Sequence, residues 1–159
     1  MTTREELIDG LRIIIREGLR TTRDFGPDDW SYLAHDEEGG WNVKQVYCHL
    51  AATADIVPGF VGALSQAEEG QNAAANLDID DFNAQGIASR EGLDGPELMA
   101  GFQASYEKLI EFVQGMPEEQ LEQRRIFGAQ NAPVAEIMDS ALVLHGLSHV
   151  YHAQSRPLN

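Results

Sequence analysis

Apolar residues recur every three to four positions in four stretches of the chain, which is the pattern of helices with one buried face. The pattern predicts helices from 3 to 24, from 43 to about 67, from Pro96 to the Gly115-Met116-Pro117 break, and from 132 to about 155. No stretch alternates with period two as a half-buried strand does. The sequence therefore predicts an all-α fold, a four-helix bundle formed by one domain over residues 1–159.

Local signals support these boundaries. Thr3 is followed three positions later by Glu6, the spacing of a reciprocal helix cap, and Asn42 is a favoured cap for the second helix. Pro58-Gly59 predicts a kink or an interruption of that helix. The connections 24–42 and 68–95 are long enough to cross the bundle, and the second contains a short helix near 79–89.

Charge narrows the classes of partner. The 159 residues contain 11 Lys and Arg against 26 Asp and Glu, a net charge of -15. Nucleic acids and anionic membranes would repel most of such a surface, so we expect neither as a partner. No run of about 18 uncharged apolar residues and no secretory signal is found, which predicts a cytoplasmic protein. The single cysteine, Cys48, falls opposite the apolar face of the second helix and is interpreted as a bystander.

Three histidines extend the apolar line of the fourth helix. On an ideal helix, one narrow stripe contains Val134, Met138, Ala141, His145, His149 and His152. His145 and His149 are four positions apart, which places two imidazoles about 6 Å apart at Cβ. That spacing fits two ligands of one metal ion and fits two hydrogen-bonded core histidines equally well.

A third ligand would have to come from another helix. His35 lies in a polar loop, whereas His49 lies at the edge of the apolar face of the second helix. The geometry allows His49 to point inward without requiring it. Taken alone, His49 is better interpreted as a half-buried structural histidine. No catalytic serine triad, phosphate-binding glycine loop or calcium loop is apparent.

Two motifs resemble those of the DinB-like metalloenzyme superfamily. The segment Gly40-Trp41-Asn42-Val43-Lys44-Gln45-Val46-Tyr47-Cys48-His49-Leu50 resembles its helix-2 motif, and His145-Gly146-Leu147-Ser148-His149 resembles its helix-4 histidine pair. The segments Asp80-Asp81-Phe82-Asn83-Ala84-Gln85 and Pro96-Glu97-Leu98 resemble the middle region of actinobacterial-type members. Among these is the metal-binding domain of mycothiol-dependent maleylpyruvate isomerase.

The resemblance implies a four-helix bundle with crossing connections and a metal site with open water positions. The implied ligands are His49, His145 and His149, with His152 as a pocket residue or a hydrogen-bonding neighbour of the ligands. Zinc or nickel is the first expectation, with iron, manganese and copper as further candidates; histidine nitrogen suits zinc, nickel, iron and copper. Relatives with known activity activate a low-molecular-weight thiol for transfer or isomerisation.

The resemblance thus implies a metal-dependent enzyme that acts on a small-molecule substrate, either as a thiol transferase or isomerase or as a hydrolase. We also expect that the chain is able to form a homodimer. Two alternatives stay open: a non-catalytic, stress-related helical module that binds metal, and a helical interaction domain without metal. His152 stands where many relatives have Gln, and the chain ends soon after the fourth helix.

Overall fold

The computed structural model describes residues 2–34 and 40–154, and these form a helical bundle with one small hairpin. His35 and the predicted helix end at Ser155 lie outside the described residues. In chain order the elements are α1 Arg4–Thr22, a 3-10 turn Pro27–Ser31, α2 Val43–Gln66, α3 Ile79–Ala88, α4 Gly95–Gly115, α5 Glu118–Glu122, β1 Arg124–Phe127, β2 Gln130–Pro133, α6 Val134–Met138, a π-helical segment Asp139–Leu144 and α7 His145–Gln154. The last three are continuous and are called the last helix.

Reciprocal caps fix the start of three long helices. Thr3 and Glu6 exchange side-chain-to-backbone hydrogen bonds of 2.7 and 3.2 Å at the start of α1. Asn42 and Gln45 do the same at α2, as Asp94 and Glu97 do at α4. Each cap satisfies backbone N–H groups that have no partner inside the helix. The predicted caps at Thr3 and Asn42 are therefore confirmed.

The four long helices are not arranged in chain order. Helix α4 packs on α1 and on α2, and the last helix contacts the same two helices from the other side. The connection between α1 and α2 therefore crosses the bundle, as does the one between α4 and the last helix, whereas the 67–94 connection joins neighbours. The Tyr47 and Phe102 rings, 5.3 Å apart and fully buried, lie in the central core between α2 and α4.

Helix α2 is buried on all sides in its middle. Every residue from Val46 to Ala52 is buried, because α3 covers the face that α4 and the last helix leave open. The helix stays continuous past Pro58, so the predicted interruption does not occur. It is the one described helix long and apolar enough to span a membrane, a property that core helices share, and half of its most apolar stretch is buried in the bundle.

A hairpin precedes the last helix, in a stretch where the sequence pattern predicts no strand. Strands β1 and β2 pair antiparallel, with Arg124 opposite Pro133 and Phe127 opposite Gln130. The turn needs a positive φ, which Gly128 supplies at 60°. The strands are only four residues long and show no period-two alternation, so the sequence pattern could not reveal them. As a result, the last helix begins at Val134 after Pro133 and not after Asn131.

The π-helical segment rotates the buried face of the last helix. Before it the buried side chains are those of Val134, Ala135, Ile137 and Met138, and after it the buried residues are Gly146, His149, Val150 and Ala153. On an ideal helix these two faces lie about 100° apart, which is the rotation of one residue. A π turn accommodates one extra residue in this way. The predicted straight stripe from Val134 to His152 is therefore wrong in its second half.

Candidate metal centre

Three histidines from two helices converge at one site. His49 comes from α2, and His145 and His149 come from the last helix. One nitrogen of each ring lies within 4.8 Å of the corresponding nitrogen of the other two. The centroid of the His49 ring is 5.2 Å from that of His145 and 5.0 Å from that of His149. The structure thus brings together the three residues that the resemblance implied.

Close packing against α1 holds the last helix in place, and with it His145 and His149. A side chain at Gly146 would collide with Ile14 of α1 at 2.7 Å, and a side chain at Gly10 would overlap Val143. These two glycines let the backbones of α1 and the last helix approach closely. His145 and His149 therefore project from a helix whose α1-facing side is fixed. Their Nε2 atoms are 2.9 Å apart and share one hydrogen bond.

His49 is a buried imidazole without a hydrogen bond. Its exposure is 4%, and neither Nδ1 nor Nε2 has a partner in hydrogen-bonding geometry. Burial, assisted by the charge of His145, lowers the pKa of His49 to about 4, while the Asn83 side chain, which lies close enough for a weak hydrogen bond with the ring, opposes the shift. Near neutral pH the His49 ring is therefore uncharged, and neither of its nitrogens makes a well-aligned hydrogen bond. The expectation of a half-buried histidine, based on helix 2 alone, is wrong.

Trp41 forms one wall of the histidine cluster. Its ring stacks on His149 at 5.9 Å with an interplanar angle of 25°, and it lies 4.9 Å from the His49 ring. Trp41 directly precedes the cap of α2, so the start of that helix fixes its position. The resemblance motif contained this residue, but helical periodicity gave it no role in the site.

Two other candidates lie apart from the cluster. His152 is half-buried, contacts the Tyr151 ring at 6.0 Å and is not one of the three histidines whose nitrogens converge. Cys48 is fully buried near Arg90 and Glu91, and burial raises the pKa of its thiol to about 11. A thiol with such a pKa is a poor nucleophile at neutral pH, in keeping with its interpretation as a bystander.

A cavity of about 600 Å³ opens beside the histidines. Its walls come from α2, α3, the preceding loop, the hairpin and the last helix, and most of its surface is apolar. Phe60 of α2 and Phe127 of β1 meet edge to face at 4.8 Å on one side. Asn72 holds the loop on the hairpin through hydrogen bonds of 3.0 Å to the Gly128 backbone. The hairpin that the sequence pattern missed is therefore part of the site.

Thr53 and Asn83 also line the cavity and were missed as site residues. Their Oγ1 and Oδ1 atoms are buried and have no hydrogen-bond partner. In the sequence each looks like an ordinary polar residue of a helix. One signal was present: Thr53 is four positions after His49 and so lies on the same helix face.

The donor set suits a divalent metal ion. Two unshared nitrogens on buried His49 and a nearby pair on one helix supply neutral imidazole ligands, which suit zinc, nickel, iron and copper. A buried imidazole without a partner is costly in an apolar core, and coordination would satisfy one of its two nitrogens. The cavity gives a small molecule access to the same point.

Comparisons with known proteins agree with this fold. The chain resembles the structure of a sibling lethal factor precursor, DfsB, at 11% identity and a TM-score of 0.73, covering 97% of this chain and 94% of that one. It resembles YfiT from Bacillus subtilis, described as a probable metal-dependent hydrolase with an unusual four-helix bundle topology, at 16% identity and 0.63, covering 94% and 83%.

The mycothiol-dependent maleylpyruvate isomerase gives a TM-score of 0.62 at 14% identity, covering 91% of this chain and 60% of the isomerase. The chain thus spans about three fifths of that enzyme. No curated protein matches in sequence. Residues 11–147 match the profile of the mycothiol maleylpyruvate isomerase N-terminal domain. The chain therefore belongs to that family, within the DinB-like superfamily of four-helix bundles.

Proposed function

We propose that this chain is a metal-dependent enzyme that activates a low-molecular-weight thiol or water for transfer, isomerisation or hydrolysis of a small molecule. The observation that carries the proposal is the convergence of His49, His145 and His149 at the wall of a 600 Å³ cavity. A metal that served stability alone would not require such a cavity.

The residues divide into those that hold the metal and those that hold the substrate. His49, His145 and His149 are the proposed ligands, and they tie α2 to the last helix. A bound divalent ion in such a site lowers the pKa of bound water or thiol and polarises a carbonyl. Trp41 packs against two of the rings and restricts their movement. The apolar walls exclude water and bind the apolar part of a substrate.

The test begins with metal content. Protein purified without a histidine tag is analysed for bound zinc, nickel, iron, manganese and copper. Turnover is then measured with mycothiol, bacillithiol and glutathione against a panel of electrophiles, and with esters and amides for hydrolysis. We expect one equivalent of metal and metal-dependent turnover of at least one pair of substrates.

Two matched variants make the result specific. His145→Ala should lose both metal and turnover, whereas His152→Ala should retain metal. Stoichiometric metal without turnover of any substrate would contradict the enzymatic role and favour a non-catalytic metal-binding module. A protein that binds none of these metals would contradict the proposal entirely.

A further inference from the structure

Two buried oxygen atoms on the cavity wall have no partner in good hydrogen-bonding geometry, although one of them lies near the His49 ring. They are Oγ1 of Thr53 on α2 and Oδ1 of Asn83 on α3. Natural structures pair nearly all buried polar atoms, because an unpaired one loses its hydration without compensation. Two such atoms in one cavity, beside the histidine cluster, therefore indicate groups that a ligand satisfies.

Other hydroxyl groups on helices of this protein show what Thr53 lacks. Thr21 and Thr22 of α1 and Ser65 of α2 each donate to the carbonyl four residues earlier, at 2.8 to 3.0 Å. That bond is the usual solution for a hydroxyl group inside a helix. Thr53 makes no such bond, so its hydroxyl group keeps its full capacity to donate and to accept.

The packing of α3 on α2 brings Asn83 to the same place. The two helices run antiparallel: Gln45 bonds Glu91 at one end, and Gly86 lies against Ala52 further along. Asn83 is one turn before Gly86, and its side chain lies beside His49. Thr53 is one turn after His49 on α2. Both oxygen atoms are thus within about one helical turn of the histidine cluster.

The rest of the cavity limits the charge of a ligand. No Lys or Arg lines it in the part of the chain that the structure describes, and Asp78 is its one carboxylate. The walls carry the aromatic rings of Phe60, Phe82 and Phe127. At the rim, Ile56, Leu77 and Ile79 are 43%, 47% and 60% exposed. Such walls favour an apolar or aromatic body and, apart from any metal held by the histidines, offer an anionic group no Lys or Arg.

We propose that Thr53 and Asn83 form a hydrogen-bonding subsite for an uncharged amide-like group on a largely apolar substrate. Asn83 Oδ1 accepts an N–H from the ligand, and the Thr53 hydroxyl group donates to its carbonyl. A carboxylate offers no N–H to Asn83 Oδ1 in the orientation that the structure shows. This inference rests on the proposed function, because it places the substrate beside the histidines, and it specifies the substrate class.

Benzamide and acetophenone are the probes that test the subsite. The two have the same ring and nearly the same shape, so both contact the walls alike, but only benzamide carries N–H donors. Because an amide oxygen binds a metal more strongly than a ketone oxygen, the preference is judged on the zinc-free protein. Their affinities are measured by calorimetry on zinc-loaded and zinc-free protein. We expect benzamide to bind about tenfold more tightly than acetophenone, since one buried hydrogen bond distinguishes them.

Variants of nearly the same size and shape show which residue causes the preference for benzamide. Asn83→Leu should abolish the tenfold difference, and Thr53→Val should weaken both probes, which share the carbonyl. Thr22→Val, which changes a hydroxyl group that bonds within α1, is the matched control and should leave both affinities unchanged. Equal affinities in the wild type, no binding of either probe, or a preference that survives Asn83→Leu would each overturn the subsite.

Metal content separates this inference from the proposed function. If the protein binds no zinc but still prefers benzamide, the result supports the subsite and contradicts the proposal that the chain is a metal-dependent enzyme. If Asn83→Leu lowers zinc affinity while Thr53→Val does not, Asn83 orients the His49 ring as a hydrogen-bond acceptor. That result would overturn its role as a substrate contact.

Discussion

The two sides of the last helix are built in opposite ways. On the side that faces α1, glycines allow close contact: Gly146 lies against Ile14 and Gly10 against Val143. A methyl group added at either glycine would force the neighbouring side chain to move. Toward α2, the same helix presents His145 and His149 to a cavity of 600 Å³. One side is close-packed, and the other contains empty space and polar atoms without partners.

This contrast shows how a small bundle keeps an open site. Cavities and unpaired polar groups reduce stability, so the cavity side costs free energy that the rest of the core must offset. The close-packed side supplies contact area and holds the helix in one position. A ligand on the cavity side then meets histidines whose spacing is already set, which lowers the cost of ordering them.

Removal of a histidine on the cavity side should have the largest effect. His149→Ala and His145→Ala should each lower zinc affinity by well over about a hundredfold, because each removes a ligand from a three-ligand site. His152→Ala should cost at most about ten- to a hundredfold, the range for residues that only support ligands. Zinc titration against a competing chelator measures all three. A larger loss of zinc affinity in His152→Ala than in His149→Ala would identify His152 as the ligand and His149 as the supporting residue.

Metal should add stability by joining the two sides of the cavity. At zinc concentrations about a thousandfold above Kd, binding stabilises the native state by about 4 kcal/mol, which raises Tm by about ten degrees. The gain should vanish in His49→Ala, since the ion then no longer connects α2 to the last helix. Thermal melts with and without zinc test this. Equal shifts in both proteins would exclude His49 as the connecting ligand.

Metal-free protein should lose stability as pH falls, because of His49. Its pKa is lowered to about 4 in the fold and is near 6.5 in the unfolded chain, so the unfolded state takes up the proton first. Between pH 7.5 and 5 this costs about 2 kcal/mol of the free energy of unfolding, most of it below pH 6.5. Denaturant unfolding of wild type and His49→Gln at pH 7.5 and 5 isolates the contribution. Equal losses in both would contradict it.

Changes on the close-packed side should alter stability modestly and with a predictable sign. Gly146→Val should lower the free energy of unfolding by about 1–2 kcal/mol, because the new side chain must displace Ile14. Gly101→Ala is the matched control, since Gly101 lies in α4 with nothing within 4 Å, and it should stabilise by about 0.5–1 kcal/mol. Denaturant midpoints measure both. A stabilising Gly146→Val would show that this side is not close-packed.

Helical periodicity and caps were enough to predict the four long helices, because each of those signals is local. The hairpin was not predictable, since it depends on contacts between distant segments. The resemblance implied crossing connections, but length alone could not show that 24–42 crosses the bundle whereas 68–95 joins neighbours. The histidine pair was visible in its spacing, whereas the burial of His49 depends on how α2 packs against the last helix and α3. Thr53 and Asn83 become visible only when the cavity is known. The cytoplasmic location and the homodimer stay predictions.

The π-helical segment Asp139–Leu144 also bears on how relatives are compared. Its extra residue is absorbed within the turn, so a relative with one residue fewer there would form a regular helix and present the same two imidazoles. Deletion of Ala141 should therefore be tolerated better than deletion of Leu147. Across the family, the distance from Pro133 to His145 is then free to vary by one. The separation of His145 and His149 is the feature that an alignment should preserve.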